Sequence, residues 1–82
     1  MFNLEQNIEN NADNWASVTN RFTGEPVCEI AIVDDMGFVY DEDGYIGVCF
    51  TIDSTIFSAA TRNVISEIVN LDNSEVRIQY AN

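Results

Sequence analysis

The chain has 82 residues and a formal net charge of -11, from fourteen acidic side chains and three arginines, with no lysine and no histidine. This length fits one domain, residues 1–82, with a single core and no large enclosed substrate cavity. The charge excludes direct binding to DNA, RNA or anionic membranes through a basic patch. No apolar run approaches the ~20 residues of a membrane span. The first residues lack the basic and apolar regions of a signal peptide, so the expected location is cytoplasmic.

Apolar residues recur every three or four positions from Asn3 to about Phe22 and predict a helix over that stretch. Six asparagines in the same stretch lower its helix propensity, and a break is expected near Asn10 and Asn11. The turn-forming residues 23–26 end this segment.

Three strands are predicted next, at Val27–Val33, Phe38–Tyr40 and Tyr45–Ile52, because β-branched and aromatic residues alternate with smaller or polar ones. Turns rich in Asp and Gly, at 34–37 and 41–44, separate them. Strands joined by such short turns form an antiparallel meander.

The rest of the chain predicts a second helix and a last strand. Asp53 or Ser54 caps the helix, which runs to about Asn70, and the strand covers Glu75–Tyr80. The predicted fold class is therefore α+β in the order α-β-β-β-α-β, an antiparallel sheet with two helices packed on one face. An edge strand such as the last one could pair across a two-fold axis, so a homodimer stays open.

Catalytic and metal-binding motifs are not found. Without histidine or lysine there is no Ser-His or Cys-His pair, no histidine metal ligand and no Schiff base, so we expect no enzyme, no metal and no cofactor. Catalysis by two carboxylates would need a cleft that raises one pKa. The run Asp41–Gly44 suits a hairpin turn better than an EF-hand loop, because Val39 and Phe50 would occupy its first and twelfth positions. Cys28 is predicted to face inward and Cys49 outward, which disfavours a disulfide between them.

Acidic residues are concentrated in three places. Glu5, Glu9 and Asp13 are spaced four apart, which predicts one acidic stripe along the first helix, at a cost of about 0.2–0.5 kcal/mol per like-charged pair. A solvated helix face is the alternative explanation of this stripe.

The two predicted hairpin turns hold five acids within ten residues, more than turn chemistry requires. The meander predicts one group at one end of the sheet and a second group at the other end, with Glu29 between them on the outward face. Acids two apart on a strand lie roughly 6.7 Å apart, the order of the phosphate spacing in a nucleic acid. The first group is Asp34, Asp35 and Asp53; the second is Asp41, Glu42 and Asp43, flanked by Tyr40 and Tyr45 as flat contact area.

In length, charge and element order the chain resembles the small acidic inhibitors that phages direct against host nucleic-acid enzymes, including anti-restriction and anti-CRISPR DNA mimics. The resemblance covers the whole chain without a diagnostic motif. It implies a decoy that binds the basic surface of a nucleic-acid-binding protein and performs no chemistry. The core order also matches the double-stranded-RNA-binding domain, but the basic residues that such a domain needs are missing.

Two other functions stay open at this point. One is an immunity protein or antitoxin that neutralises a basic nuclease toxin. The other is a structural adaptor whose acids serve solubility and whose interface lies around Val33, Cys49 and Thr51.

Overall fold

The computed structural model describes residues 2–81 and shows an α+β fold. Five strands form one antiparallel sheet in the order β4-β3-β2-β1-β5. The elements are helix α1 (Leu4–Asn11), strands β1 (Asn14–Asn20), β2 (Pro26–Val33), β3 (Met36–Asp41) and β4 (Gly44–Thr51), helix α2 (Ala59–Val69), a 3-10 turn (Asn73–Glu75) and strand β5 (Val76–Tyr80).

The first segment differs from the prediction, because the helix ends at Asn11 and the chain continues as strand β1. Asn3 caps α1 by accepting the Gln6 backbone N–H at 3.0 Å. Beyond Asn11 the burial has a period of two: Ala16 and Val18 are fully buried, and the intervening side chains point to the other face. The prediction of one helix to Phe22 was therefore wrong for its second half.

The two helices lie on opposite faces of the sheet, not on one face as predicted. Ile65 of α2 packs with Val18 and Ile30, whereas Ile8 of α1 packs with Ala31 and Tyr40. Neighbouring residues of β2 point to opposite faces, and both Ile30 and Ala31 are fully buried. A central strand that is apolar on both faces requires a cover on each.

The meander joins β2, β3 and β4 as the sequence predicted, through tight turns after Val33 and Asp41. Strand β5 pairs with β1 alone and forms one edge of the sheet, with β4 at the other. Among residues 2–81, no helix is long and apolar enough to cross a membrane.

Both cysteines are free thiols, as expected: Cys28 packs against the α2 core, and Cys49 is exposed. Burial, with a smaller contribution from the negative charge of Glu29, raises the pKa of the Cys28 thiol from 9.0 to about 11.

The two thiols are therefore expected to react with a disulfide reagent at very different rates. At pH 8, Cys28 carries about a hundredfold less thiolate than a thiol of pKa 9.0, and burial also restricts access to it. In a Cys28→Ser variant the remaining thiol reacts in the fast phase, whereas in a Cys49→Ser variant it reacts slowly until denaturant is added. Equal rates in the two variants would contradict the burial of Cys28.

Candidate interaction surface

The β3–β4 hairpin turn presents three consecutive exposed acids, Asp41, Glu42 and Asp43. Asp41 has a local structural role, because its Oδ1 accepts the Asp43 backbone N–H at 2.8 Å and tightens the turn. Gly44 follows with a φ of 120°, a backbone conformation that other residues rarely adopt. The turn is thus well defined, and it fixes the backbone positions from which its three acidic side chains extend.

Helix α1 adds two further acids beside this turn. The Glu5 carboxylate accepts the Tyr45 backbone N–H at 3.1 Å, and the Tyr40 hydroxyl donates to the Glu5 backbone carbonyl at 3.4 Å. Burial, and then the nearby carboxylate of Glu9, raise the pKa of the Tyr40 hydroxyl. The sequence predicted Glu5 as part of an acidic stripe along the helix, with a solvated helix face as the alternative, whereas the structure makes it a half-buried acceptor that fixes α1 to the hairpin.

Four aromatic side chains pack together next to the hairpin turn. The ring centroids of Tyr40 lie 5.0 Å from Trp15 and 5.7 Å from Tyr45, and Phe38 lies 5.9 Å from Tyr45. Tyr40 is only 6% exposed, so the prediction that it offers contact area to a partner was wrong, because α1 covers it. Tyr45 keeps partial exposure.

Burial raises the pKa of both tyrosines: nearby Glu9 and Glu5 add to the effect at Tyr40, and Cys49 adds to it at Tyr45. We expect these groups, with Cys28, to destabilise the protein at alkaline pH. Below their unfolded values of 9.0 and 10.0 they are protonated in both states, and their contribution to stability is fully present. Above those values the unfolded chain loses protons first, so the free energy of unfolding falls until the folded groups also ionise.

Urea unfolding at pH 8, 10 and 11 measures this effect. The urea concentration at the midpoint of unfolding is expected to fall as the pH rises above about 9. A Tyr40→Phe variant should show a smaller decrease over the same pH range. A midpoint that stays constant to pH 11 would contradict the burial of these groups.

An open groove of about 560 Å³ runs from the hairpin turn across the strands. Glu29 lines it and lies opposite Ser17 on β1 and Tyr40 on β3 in the strand register. Polar side chains of β1, β3 and β5 and the three turn acids also line it, together with the less polar residues Val18, Pro26, Val27 and Cys28. We call the acids around this groove and turn the hairpin-end surface: Glu5, Glu9, Glu29, Asp41, Glu42 and Asp43.

The other end of the sheet carries the second acidic group, as the meander predicted. The Ile52 backbone N–H donates to the Asp35 carbonyl at 2.6 Å, which brings Asp53 beside the Asp34–Asp35 turn. Asp13 joins this group, because its Oδ2 accepts the Asp34 backbone N–H at 2.8 Å. The predicted stripe of Glu5, Glu9 and Asp13 is therefore wrong in its last member, which follows the end of α1.

None of the three arginines lines the groove of the hairpin-end surface. Arg21, Arg62 and Arg77 line one pocket beside β5, at the far edge of the sheet from β3 and β4. Three to four strand spacings separate the β3–β4 hairpin from β5, on the order of 14–19 Å. Because the Debye length at physiological salt is about 8 Å, the arginines do little to neutralise the hairpin acids.

Within residues 2–81, no three His, Cys, Asp or Glu side chains are grouped so that they could hold a metal ion. The acids are spread along a surface and do not converge on a point. No protein-family model matches the chain, and searches of curated proteins and of solved structures find no match.

Proposed function

We propose that the protein is an acidic inhibitor that occupies the basic nucleic-acid-binding surface of a target such as a CRISPR effector, a restriction enzyme or a DNA-repair enzyme. It acts by nucleic-acid mimicry in the cytoplasm of the target's cell, without catalysis. The observation that supports this function best is the hairpin-end surface, where four carboxylates line one groove and Glu5 and Glu9 lie beside it, while the arginines line a separate pocket beside β5.

Three of the six carboxylates of this surface have no hydrogen-bonding role among residues 2–81. Glu5 and Asp41 accept backbone N–H groups, and Glu9 lies beside the Tyr40 hydroxyl. In the hydrogen-bond network of residues 2–81, the carboxylates of Glu29, Glu42 and Asp43 accept no bond. Unpaired like charges work against a compact fold, so a cationic partner is a physical reason for their presence.

The groove provides a place for the partner's side chains. Arginine or lysine side chains that normally grip phosphates would enter between Glu29 and the turn acids and form charge-assisted hydrogen bonds with them. The net charge of -11 would speed the encounter at low ionic strength. Binding of this kind weakens steeply as salt rises.

A capture experiment tests the proposal. The immobilised protein is incubated with a lysate of the candidate host in roughly 50 mM salt, and the captured proteins are identified by mass spectrometry. We expect nucleic-acid-binding proteins, released by an added DNA or RNA oligonucleotide and by roughly 1 M salt. Captured partners that bind no nucleic acid, or that an oligonucleotide in excess does not displace, would argue against mimicry.

An adaptor function has one observation in its favour. Phe57 and Tyr80 are each 42% exposed and pack edge to face at 5.1 Å, forming an apolar pair outside the hairpin-end surface. Such a pair suits a protein contact that survives high salt. The adaptor interface predicted around Val33 is less suitable, because Val33 packs against the α1 cluster. A partner retained in 1 M salt and lost from a Phe57→Ser variant would favour this function.

A further inference from the structure

All three arginines of this acidic chain converge on a single pocket of about 340 Å³. Arg21 follows β1, Arg62 lies on α2, and Arg77 lies near the start of β5, so three separate elements contribute to it. The other lining residues are Val76 and Ile78, and none of the described residues that line the pocket is acidic. Three arginines that line one pocket with no acidic residue among its lining repel one another. The chain has fourteen acidic residues that could pair with them, yet none lines this pocket.

The backbone of β5 shows where the pocket lies. The Arg21 backbone N–H donates to the Glu75 carbonyl at 2.7 Å, and the Ala81 N–H donates to the Trp15 carbonyl at 2.8 Å. Because polar groups alternate along an antiparallel strand, those of Val76 and Ile78 point away from β1, toward the open edge of the sheet. The pocket therefore contains backbone groups of an unpaired edge as well as the three guanidinium groups.

Arg62 is already held in position at this edge. Its Nη2 donates to the Val76 carbonyl at 2.9 Å, which satisfies one edge acceptor and orients the guanidinium group. A guanidinium carries five N–H donors in a planar fork, so most donors of Arg62 stay available. Arg21 and Arg77 are both exposed and can adjust to a ligand.

We propose that this three-arginine pocket binds a phosphate-type oxyanion. A carboxylate offers two oxygens, which one arginine satisfies in a bidentate pair, whereas a tetrahedral phosphoryl group offers enough acceptors for several guanidinium groups at once. Its double charge also suits a site of three cations. The inference is independent of the function proposed for the hairpin-end surface, because none of the acids of that surface lines the pocket.

Titration with inorganic phosphate and with pyrophosphate tests this site, followed by NMR of the arginine side-chain and backbone N–H signals at constant ionic strength. Saturable shifts are expected at the three arginines and at Ile78, with half-saturation at or below about 1 mM pyrophosphate. Sodium chloride at the same ionic strength should produce no saturable shift. Shifts that are linear in concentration, or spread over the whole chain, would overturn the proposal.

Arg21→Gln and Arg77→Gln are suitable variants, because both residues are exposed and Arg62 supports the β5 edge. Each is expected to weaken pyrophosphate binding about tenfold, the usual effect of removing a hydrogen bond to a charged group. Gln6→Glu on α1 is the matched control, since it also makes the net charge more negative by one unit but lies outside the pocket. Equal weakening by Gln6→Glu would show a general effect of charge and overturn the site.

Discussion

Replacing Glu29, Glu42 and Asp43 together with Gln, Gln and Asn is expected to weaken binding to the basic target about a hundredfold at low salt, from roughly 1 kcal/mol for each partly exposed charge pair. These three carboxylates surround the groove but accept no hydrogen bond within residues 2–81, so the fold should be retained. Most of the loss should appear as slower association, because steering depends on charge. Titration of the captured target against the variant at several salt concentrations measures both effects.

A matched control is available at the other end of the sheet. Replacing Asp34, Asp35 and Asp53 with Asn changes the net charge by the same three units, and Asn tolerates the positive φ of 55° at Asp34. If the hairpin-end surface contacts the target, this control variant loses only the small part of the binding affinity that comes from long-range charge. Equal losses in the two triple variants would mean that net charge, and no particular surface, determines binding.

The middle of the fold could be predicted because its local signals agree with one another. Asp-Gly and Asp-Asp turns alternate with β-branched runs, and the strands lie within two residues of their predicted bounds. Helix α2 was placed correctly at its end but starts later, because Ser58 and not Asp53 or Ser54 caps it, accepting the Thr61 backbone N–H at 3.2 Å. Residues 54–58 instead form bends and a turn in front of the helix.

Strand β1 could not be identified by the spacing of apolar residues. Ala12, Trp15 and Val18 fit a period of three, yet Trp15 and Val18 face opposite sides of the sheet. A helical period of about 3.6 and a strand period of 2 both fit a short segment in which apolar residues occur on two faces. Only the pairing of this segment with β2 and β5 shows that it is a strand. The same ambiguity concealed the second apolar face and therefore placed both helices on one side.

The acidic groups at the two sheet ends followed from the meander, since consecutive antiparallel turns must lie at opposite ends. The convergence of Arg21, Arg62 and Arg77 did not follow, because it requires β1 as a strand and β5 as its neighbour. Likewise, the contact of Glu5 with Tyr45 joins residues forty positions apart. Long-range contacts of this kind leave no local pattern in a single sequence.

Gly44→Ala is expected to lower the free energy of unfolding by about 2–4 kcal/mol, a large share of the stability of a small domain. A Cβ at this position would overlap the Glu5 carboxylate, and alanine at a φ of 120° is strained as well. Relief of the overlap must move Glu5 away from the Tyr45 N–H and so loosen α1 from the hairpin. Chemical denaturation measures the loss, and hydrogen exchange in residues 4–11 should accelerate.

The contribution of backbone strain can be separated from that of the Glu5 contact. Gly24→Ala is the control, because Gly24 also has a positive φ, 77°, but has no atom within 4 Å of the added Cβ, so it reports strain alone. If Gly44→Ala acts through Glu5, a Glu5→Ala background should reduce its effect, giving a coupling of about 0.5–3 kcal/mol in a double-mutant cycle. Additive effects of the two changes would mean that Gly44→Ala does not act by displacing the Glu5 carboxylate from the Tyr45 N–H. The packing of Ile8 against Ala31 and Tyr40, with the hydrogen bond from the Tyr40 hydroxyl to the Glu5 carbonyl, would then be what keeps α1 and its two acids beside the turn.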